Sequence, residues 1–240
     1  MRGAVFSSIT FLFLCATFPA KAEIPPPRFR PAVLGSGPNS LVNQIDAQDL
    51  FKKGQKDGAI MFCCRVTTTG EVVWYATYLP VPSSDLLEKE VRKRLDKARL
   101  APAIYEYKPV EVLFYGTAFF SVVDGKPRLQ IFANQEAAEL KAGNDFIGPQ
   151  PVIGADSKFT GLHYPGEQMP VLVKGLVRLA LKVDVAGNLQ DLRAVSEEPP
   201  LLGLAQVAMS DFNKAKFIPA FRDGDPVESS VLLPVPYEPE

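Results

Sequence analysis

Histidine and cysteine are scarce in this sequence, and their scarcity narrows the chemistry that it can support. Its 240 residues include one histidine and three cysteines. Cys63 and Cys64 are adjacent, and two neighbouring sulfurs with the distant His163 do not form a metal-ligand set. We therefore expect no metal site and no cofactor. A disulfide between adjacent cysteines is strained, which makes two free thiols the better expectation, with the disulfide as the alternative.

An excess of charge of either sign is also missing. The chain has 26 Lys and Arg residues against 27 Asp and Glu residues, for a net charge of −1. Nothing in this balance points to a nucleic acid or an anionic membrane surface as a partner. The glycines are scattered and form no phosphate-binding loop. Hydrophobic residues make up 47% of the chain, which is ample for a packed core.

Apolar runs long enough to cross a membrane, about 20 residues, are missing after the N-terminus. The apolar run from Val5 to Phe18 follows Arg2 and precedes Ala20-Lys21-Ala22, which is a small-residue cleavage pattern. This arrangement is typical of a secretory signal peptide. We predict a signal peptide over residues 1–22 and a periplasmic or secreted mature protein. An N-terminal anchor that is not cleaved is the alternative.

Two similar stretches, residues 97–111 and 214–228, indicate an internal duplication. Glycines and prolines keep their spacing when the chain is shifted by 117 residues. The aligned pairs include Gly58 with Gly175, Gly70 with Gly187, Pro102 with Pro219 and Pro109 with Pro226. A weaker similarity relates residues 31–35 to 150–154 at a shift of 119. Coincidence seldom holds one register over a domain, so we predict two copies of one fold.

Each copy is predicted to contain a hairpin, a helix and a further strand. Apolar residues alternate from Val177 to Val185, which indicates a half-buried strand before a turn at Gly187. The first helix is expected to begin near Asp85, with cap candidates before it. Pro102 and Pro219 end the helices, because proline cannot continue one. The predicted fold class is α+β: two tandem ββαβ units, each an antiparallel sheet with one helix packed on a face.

The predicted organisation has four parts after the signal peptide. They are a loosely ordered segment at residues 23–45, a first repeat at 46–133, a linker at 134–160 and a second repeat at 161–240. The linker contains several glycines and prolines, and we expect it to be flexible or draped over the first repeat. An additional strand after the turn at Asp124-Gly125 is expected in the first repeat alone.

The second copy resembles the C-terminal domain of TonB-type energy transducers. The matching series begins at Tyr164-Pro165, passes through Gly175 and Gly187, and ends in residues 214–227. This last stretch contains Phe-Ile-Pro-Ala and then Gly-Asp-Pro-Val, whereas Ala215 stands where the family has a first aromatic residue. The first copy is similar but more divergent.

The resemblance implies a periplasmic module without chemistry of its own. Members of this family bind an extended segment of an outer-membrane receptor by adding it as a strand to a sheet edge. We therefore expect a non-catalytic module that binds a protein or peptide of the cell envelope. The expected edge residues, in the closing strand, are Val227, Ser229, Val231 and Leu233. Pro234 and Pro236 either limit this pairing or guard the edge against it.

Two other functions stay open. An energy transducer for outer-membrane transport would keep its N-terminal segment as an anchor, although residues 1–22 lack the histidine that such anchors contain. A structural homodimer would form if two chains paired their edges into one sheet. No catalytic residue is predicted, because His163 lies in an expected surface loop and Cys63 and Cys64 lie within a predicted strand, where thiols are usually inert.

Overall fold

The computed structural model describes residues 25–154, 156–165 and 173–238. Up to residue 132 its elements are β1 (Phe29–Arg30), α1 (Leu41–Gln44), α2 (Ala47–Lys52), β2 (Gly58–Val66), β3 (Val72–Tyr78), α3 (Asp85–Leu95), β4 (Ala103–Tyr105), β5 (Lys108–Val123) and β6 (Lys126–Phe132). The later elements are α4 (Ala137–Ala142), β7 (Phe146–Ile147), β8 (Gln150–Ile153), β9 (Gly175–Val183), β10 (Leu189–Glu198), α5 (Leu204–Phe212), β11 (Phe217–Ile218), β12 (Ala220–Arg222), β13 (Asp225–Val227) and β14 (Ser229–Tyr237).

The predicted fold class, α+β with two tandem ββαβ units, is wrong. Among the described residues, strands hold 45% and five short helices hold 17%. The main element is a curved, nearly closed antiparallel sheet of eight strands. At its centre the sixteen residues of β5 pair with β2 on one side and with β4, β8 and β6 in turn on the other.

The large sheet also joins the two halves of the chain. β8 and β11, which belong to the second half, pair with each other, and β8 pairs with β5. Pro109 and Pro151 cannot donate a hydrogen bond to a neighbouring strand, yet both lie in paired strands. Strands as short as two to four residues show no periodicity in a sequence, which is why they were not predicted.

Two smaller sheets complete the fold. β9 lies between β10 and β14 in a three-stranded antiparallel sheet, called here the second sheet. β12 lies between β7 and β13 in another three-stranded sheet. α5 packs on the second sheet, as α3 packs on β2 and β3. Both hairpins lie where alternation predicts them, and α3 begins at the predicted Asp85. α5 begins only at Leu204, after Pro199 and Pro200, where the sequence suggested a helix start.

The strand registers of the two halves repeat after 117 residues. Gly58 pairs with Phe120, and Gly175 pairs with Tyr237. The same offset relates the bridge between Glu71 and Arg99 to the bridge between Asn188 and Lys216. Both hairpins also carry a register irregularity next to the turn. The two halves therefore share one pattern of hydrogen bonding, although the strands of the second half are divided among all three sheets.

The same offset extends further upstream. Phe29 pairs with Tyr105 in the first half, and Phe146 pairs with Arg222 in the second. The shift of 119 residues that the sequence suggested for this segment is wrong, because structural equivalence keeps the shift of 117. At a shift of 119 residues Val33, Leu34 and Gly35 match Val152, Ile153 and Gly154 in side-chain type. The backbone pairing of Val33 with Ala101 is instead repeated by Gln150 with Ile218, which is a shift of 117.

Gly70 and Gly187 show how each hairpin turn is fixed. Their φ angles are +82° and +78°, a region that side chains disfavour. A Cβ atom at either position would also collide with a backbone carbonyl, that of Leu100 or Phe217. The amides of these two residues donate to the carbonyls of Gly70 and Gly187 at 3.0 and 2.9 Å. Each turn is thus tied to the chain that follows its helix.

Two hydrophobic cores hold the structure together. The first lies under α3 and includes Phe62, Phe114 and Phe120, all fully buried. The second lies under α5 and includes Phe159, Phe212 and Phe217. It also takes in the opposite face of the large sheet, through Cys63, Tyr78, Leu113 and Tyr115. Because the second core draws on both halves, the two copies are packed as one unit.

The segments predicted to be loose or linking are built into this unit. The described part of residues 23–45 contains β1 and α1, with Ala32 and Leu41 fully buried. The described part of residues 134–160 contains α4, β7 and β8, with Val152 and Phe159 fully buried. The additional strand of the first copy is present as β6.

Within the described ranges, no helix is long and apolar enough to cross a membrane. The predicted signal peptide and its alternative, an anchor that is not cleaved, both concern residues 1–22, which lie outside these ranges.

Candidate functional site

The four residues predicted as a peptide-binding edge face the interior. Val227 lies in β13, and Ser229, Val231 and Leu233 lie in β14. Val231 and Leu233 are 9% and 4% exposed and belong to the second core. Ser229 is also buried. Their side chains are therefore not displayed to a partner.

The direction of the backbone groups in β14 follows from two observations. The Leu232 amide donates a hydrogen bond of 2.9 Å to Oε1 of Glu136, so it points away from β9. Pro234 and Pro236 have no N–H, and prolines within a sheet occupy positions that face away from the neighbouring strand. Backbone N–H and C=O groups alternate in direction along a strand. In β14 the even-numbered residues therefore direct theirs away from β9, and the odd-numbered residues direct theirs toward β9.

A peptide added along β14 would meet few free donors. The outward positions are Ser230, Leu232, Pro234 and Pro236, of which the last two donate nothing. Glu136 already binds the Leu232 amide. The pKa of this carboxyl is raised, chiefly by burial, and the hydrogen bond from Leu232 opposes the rise. The outer edge of β14 is therefore guarded by the chain itself and by its prolines.

β10 forms the other edge of the second sheet. Its ten residues pair with β9, and no other described strand pairs with it. Every residue of β10 is exposed or half-buried, and none is proline. Unpaired N–H and C=O groups along such an edge are a template for pairing with another chain.

The outward groups of β10 can be assigned by the same alternation. The odd-numbered residues of β9 direct their backbone groups toward β14, so Ala180 directs its backbone groups toward β10. Its partner Arg193 therefore directs its own N–H and C=O toward β9. Leu192 and Ala194 therefore point their backbone groups outward. In agreement, the Leu192 amide donates to Oδ1 of the adjacent Asp191 at 2.9 Å.

Two charged side chains, Asp191 and Arg193, flank the apolar Leu192 in β10. Leu192 packs against the second core, so Asp191 and Arg193 project from the opposite face of the sheet, where both are exposed. Glu198 forms a salt bridge of 3.0 Å with Arg178. Asp191 and Arg193 have no oppositely charged partner among the described residues.

The corresponding edges of the first copy have different surroundings. The outer side of β3 pairs with no described strand, and Val73 and Trp74 in β3 are exposed. β3, the counterpart of β10, contacts β14, and a groove of about 450 Å³ lies between Tyr78, Pro236 and Tyr237. β5, the counterpart of β13 and β14, carries β6 along its outer side. The edge of β10 has neither kind of cover.

Cys63 and Cys64 are free thiols, and both are fully buried. Cys64 lies in the first core and Cys63 in the second, because neighbouring residues of a strand point to opposite faces. Burial raises the pKa of both thiols. Little reactive thiolate is therefore present near neutral pH.

His163 joins a loop to α5. Its Nδ1 lies 2.7 Å from Oδ1 of Asp211, and its backbone amide donates to Oδ2 of the same carboxylate at 3.0 Å. The side chain is 61% exposed. Oγ1 of Thr160 lies 3.5 Å from Nε2, which is longer than the distance of about 2.6–3.2 Å at which a base activates a hydroxyl. The contacts of His163 hold the loop against the helix.

Over the part of the chain that the structure describes, no group of three or more His, Cys, Asp or Glu side chains is placed to hold a metal ion. No family model matches the chain, and no curated protein or solved structure is significantly similar to it.

Sequence reasoning missed β10 as the exposed edge. The family resemblance placed the binding edge in the closing strand. The return strand of a hairpin has one partner by definition, and its sequence does not show whether a second strand pairs with its other side. A signal was present in the composition: β14 contains two prolines, whereas β10 contains none and carries three acidic residues and one arginine.

Proposed function

We propose that the protein is a non-catalytic binding module of the periplasm or the extracellular space. It captures an extended segment of a cell-envelope protein by adding that segment to the edge of β10. One observation carries the proposal: a ten-residue strand directs backbone groups of Leu192 and Ala194 outward with no strand beside them. In this mode of recognition main-chain hydrogen bonds supply affinity and side chains supply specificity.

The resemblance of residues 164–228 to TonB-type C-terminal domains supports the same class of function. The edge differs from the one that this resemblance suggested. Capture along β14 would require a peptide to displace Glu136 from the Leu232 amide, and Pro234 and Pro236 would offer no donors. Capture along β10 requires a peptide to displace the Asp191 carboxylate from the Leu192 amide, but no proline interrupts the donors of this edge.

Leu192 and Ser230 provide matched variants that separate the two edges. Both amides point outward, so a proline at either position removes no hydrogen bond within the sheet. Leu192→Pro removes a donor from β10, and Ser230→Pro removes one from β14. We expect Leu192→Pro to weaken binding of envelope proteins at least about tenfold and Ser230→Pro to leave it unchanged. Affinity capture from an envelope fraction, followed by titration of the recovered protein, measures both effects.

Thermal unfolding of the two variants shows whether each is folded. Loss of binding in Ser230→Pro but not in Leu192→Pro would assign capture to β14. Full binding by both folded variants would contradict capture at either edge.

A further inference from the structure

The edge of β10 is complementary to itself. Residues 189–195 read Leu-Gln-Asp-Leu-Arg-Ala-Val. If two such strands run antiparallel about a two-fold axis at Leu192, Asp191 of each chain lies opposite Arg193 of the other. The Asp191–Arg193 pair lies within the regular part of β10, between the register irregularities at Leu189/Asp191 and Ala194/Ser196. Cross-strand pairs of opposite charge stabilise a sheet, and pairs of like charge destabilise it.

Backbone directions agree with this axis. Leu192 directs its backbone groups outward, and its amide now donates to Oδ1 of Asp191. Once each amide leaves that carboxylate, the two copies of Leu192 can exchange both of their N–H···O=C hydrogen bonds. Asp191 and Arg193 then form the pairs without such bonds, in which side chains approach most closely, with Cα atoms about 4.5 Å apart. Both of these charged side chains are exposed and have no salt-bridge partner among the described residues.

The charges also select one register. An axis at Asp191 would place two carboxylates opposite each other, and an axis at Arg193 would place two guanidinium groups opposite each other. Either arrangement is destabilising. The register of an antiparallel pair is set by such side-chain patterns, so the axis at Leu192 is favoured over its neighbours.

We propose that two copies of the chain pair through β10 about a two-fold axis at Leu192, joining their second sheets into one sheet of six strands. The inference rests on the proposed function, because the second copy occupies the edge that captures polypeptide. The contact is isologous, and it closes at a dimer. Dimer formation and capture of another protein then compete for the same backbone groups.

Charge reversal tests the pairing. The variants Asp191→Arg and Arg193→Asp each place two pairs of like charges across the axis, and we expect each to raise the dimer dissociation constant at least about tenfold. An equimolar mixture of the two variants restores association, because the introduced arginine of one chain faces the introduced aspartate of the other. Sedimentation equilibrium over a range of concentrations measures the association of wild type, each variant and the mixture.

Lys126→Asp is the matched control, since it reverses an exposed charge on the β6 hairpin far along the chain from β10. It should associate as the wild type does. A wild type that stays monomeric at every concentration, or a mixture no more associated than its separate components, would overturn the pairing. The capture experiment with Leu192→Pro and Ser230→Pro measures other proteins, so either outcome here leaves that test standing.

Discussion

The two copies of the fold differ in what covers their sheet edges. In the first copy β6 and β8 pair along the outer side of β5. In the second copy no described strand pairs with the outer side of β14 or of β10. β3, like β10, pairs with no described strand on its outer side. The two copies therefore have equal registers but differ at the closing strand, where β5 is covered and β14 is not, so the capacity to bind a further strand depends on what packs beside each edge.

The largest expected effect tests whether the two helices contribute equally. Leu87 of α3 and Leu204 of α5 are separated by the repeat offset, and both are fully buried. Leu87→Ala and Leu204→Ala should each lower the free energy of unfolding by about 3 kcal/mol, through lost burial and the cavity left behind. Urea denaturation measures this. A neutral result for either variant would break the equivalence of the two copies.

The turn glycines give a smaller effect and a sharper comparison. Gly70→Ala and Gly187→Ala should each lower the free energy of unfolding by about 2–3 kcal/mol. Alanine is strained at the positive φ of these positions, and its Cβ atom would collide with a carbonyl. Gly125→Ala is the control: its φ is +71°, but the space around it is open. It should cost only about 1 kcal/mol. Equal losses for all three variants would show that the carbonyl contact contributes nothing.

The smallest effect concerns one salt bridge in each copy. The hydrogen bond from Arg28 lowers the pKa of Glu106, and the hydrogen bond from Arg222 lowers the pKa of Glu139. A carboxylate with a lowered pKa stabilises the fold above its unfolded pKa, and the contribution is lost as pH falls through the folded value. Thermal unfolding between about pH 6 and about pH 3 should therefore respond less to acid in Glu106→Gln and Glu139→Gln than in wild type. Both groups lie near the surface, so the difference is small. An unchanged pH profile in both variants would remove these contacts from the account.

The hairpins could be predicted from sequence, and the architecture could not. Alternation from Val177 to Val183 and the turn at Gly187 locate one hairpin. The glycines of the first half have the same spacing, which predicts the other hairpin 117 residues earlier. The long strand β5 reads as a single apolar segment, and nothing in such a segment tells that it pairs with four other strands. Its partner β8 comes from a proline-containing stretch that resembles a linker. Fold class therefore depended on long-range pairing that local patterns do not encode.

The candidate site was hidden for a related reason. Side-chain alternation reveals which residues of a strand face the core, as it does for Val231 and Leu233. Backbone direction alternates independently and depends on which neighbour pairs with the strand. Only the observed register shows that β14 faces outward through its even-numbered residues and that Leu192 and Ala194 face outward in β10.

Residue-resolved amide hydrogen exchange of dilute protein tests the central claim most directly. The amides of Phe119 and Ser121 in β5 face β6, which pairs with them, whereas the amides of Leu192 and Ala194 face no strand. We expect the two β10 amides to exchange orders of magnitude faster than the two β5 amides, because only the β5 amides require the sheet to open. Exchange of Leu192 and Ala194 as slow as that of Phe119 and Ser121 would contradict an open edge at β10.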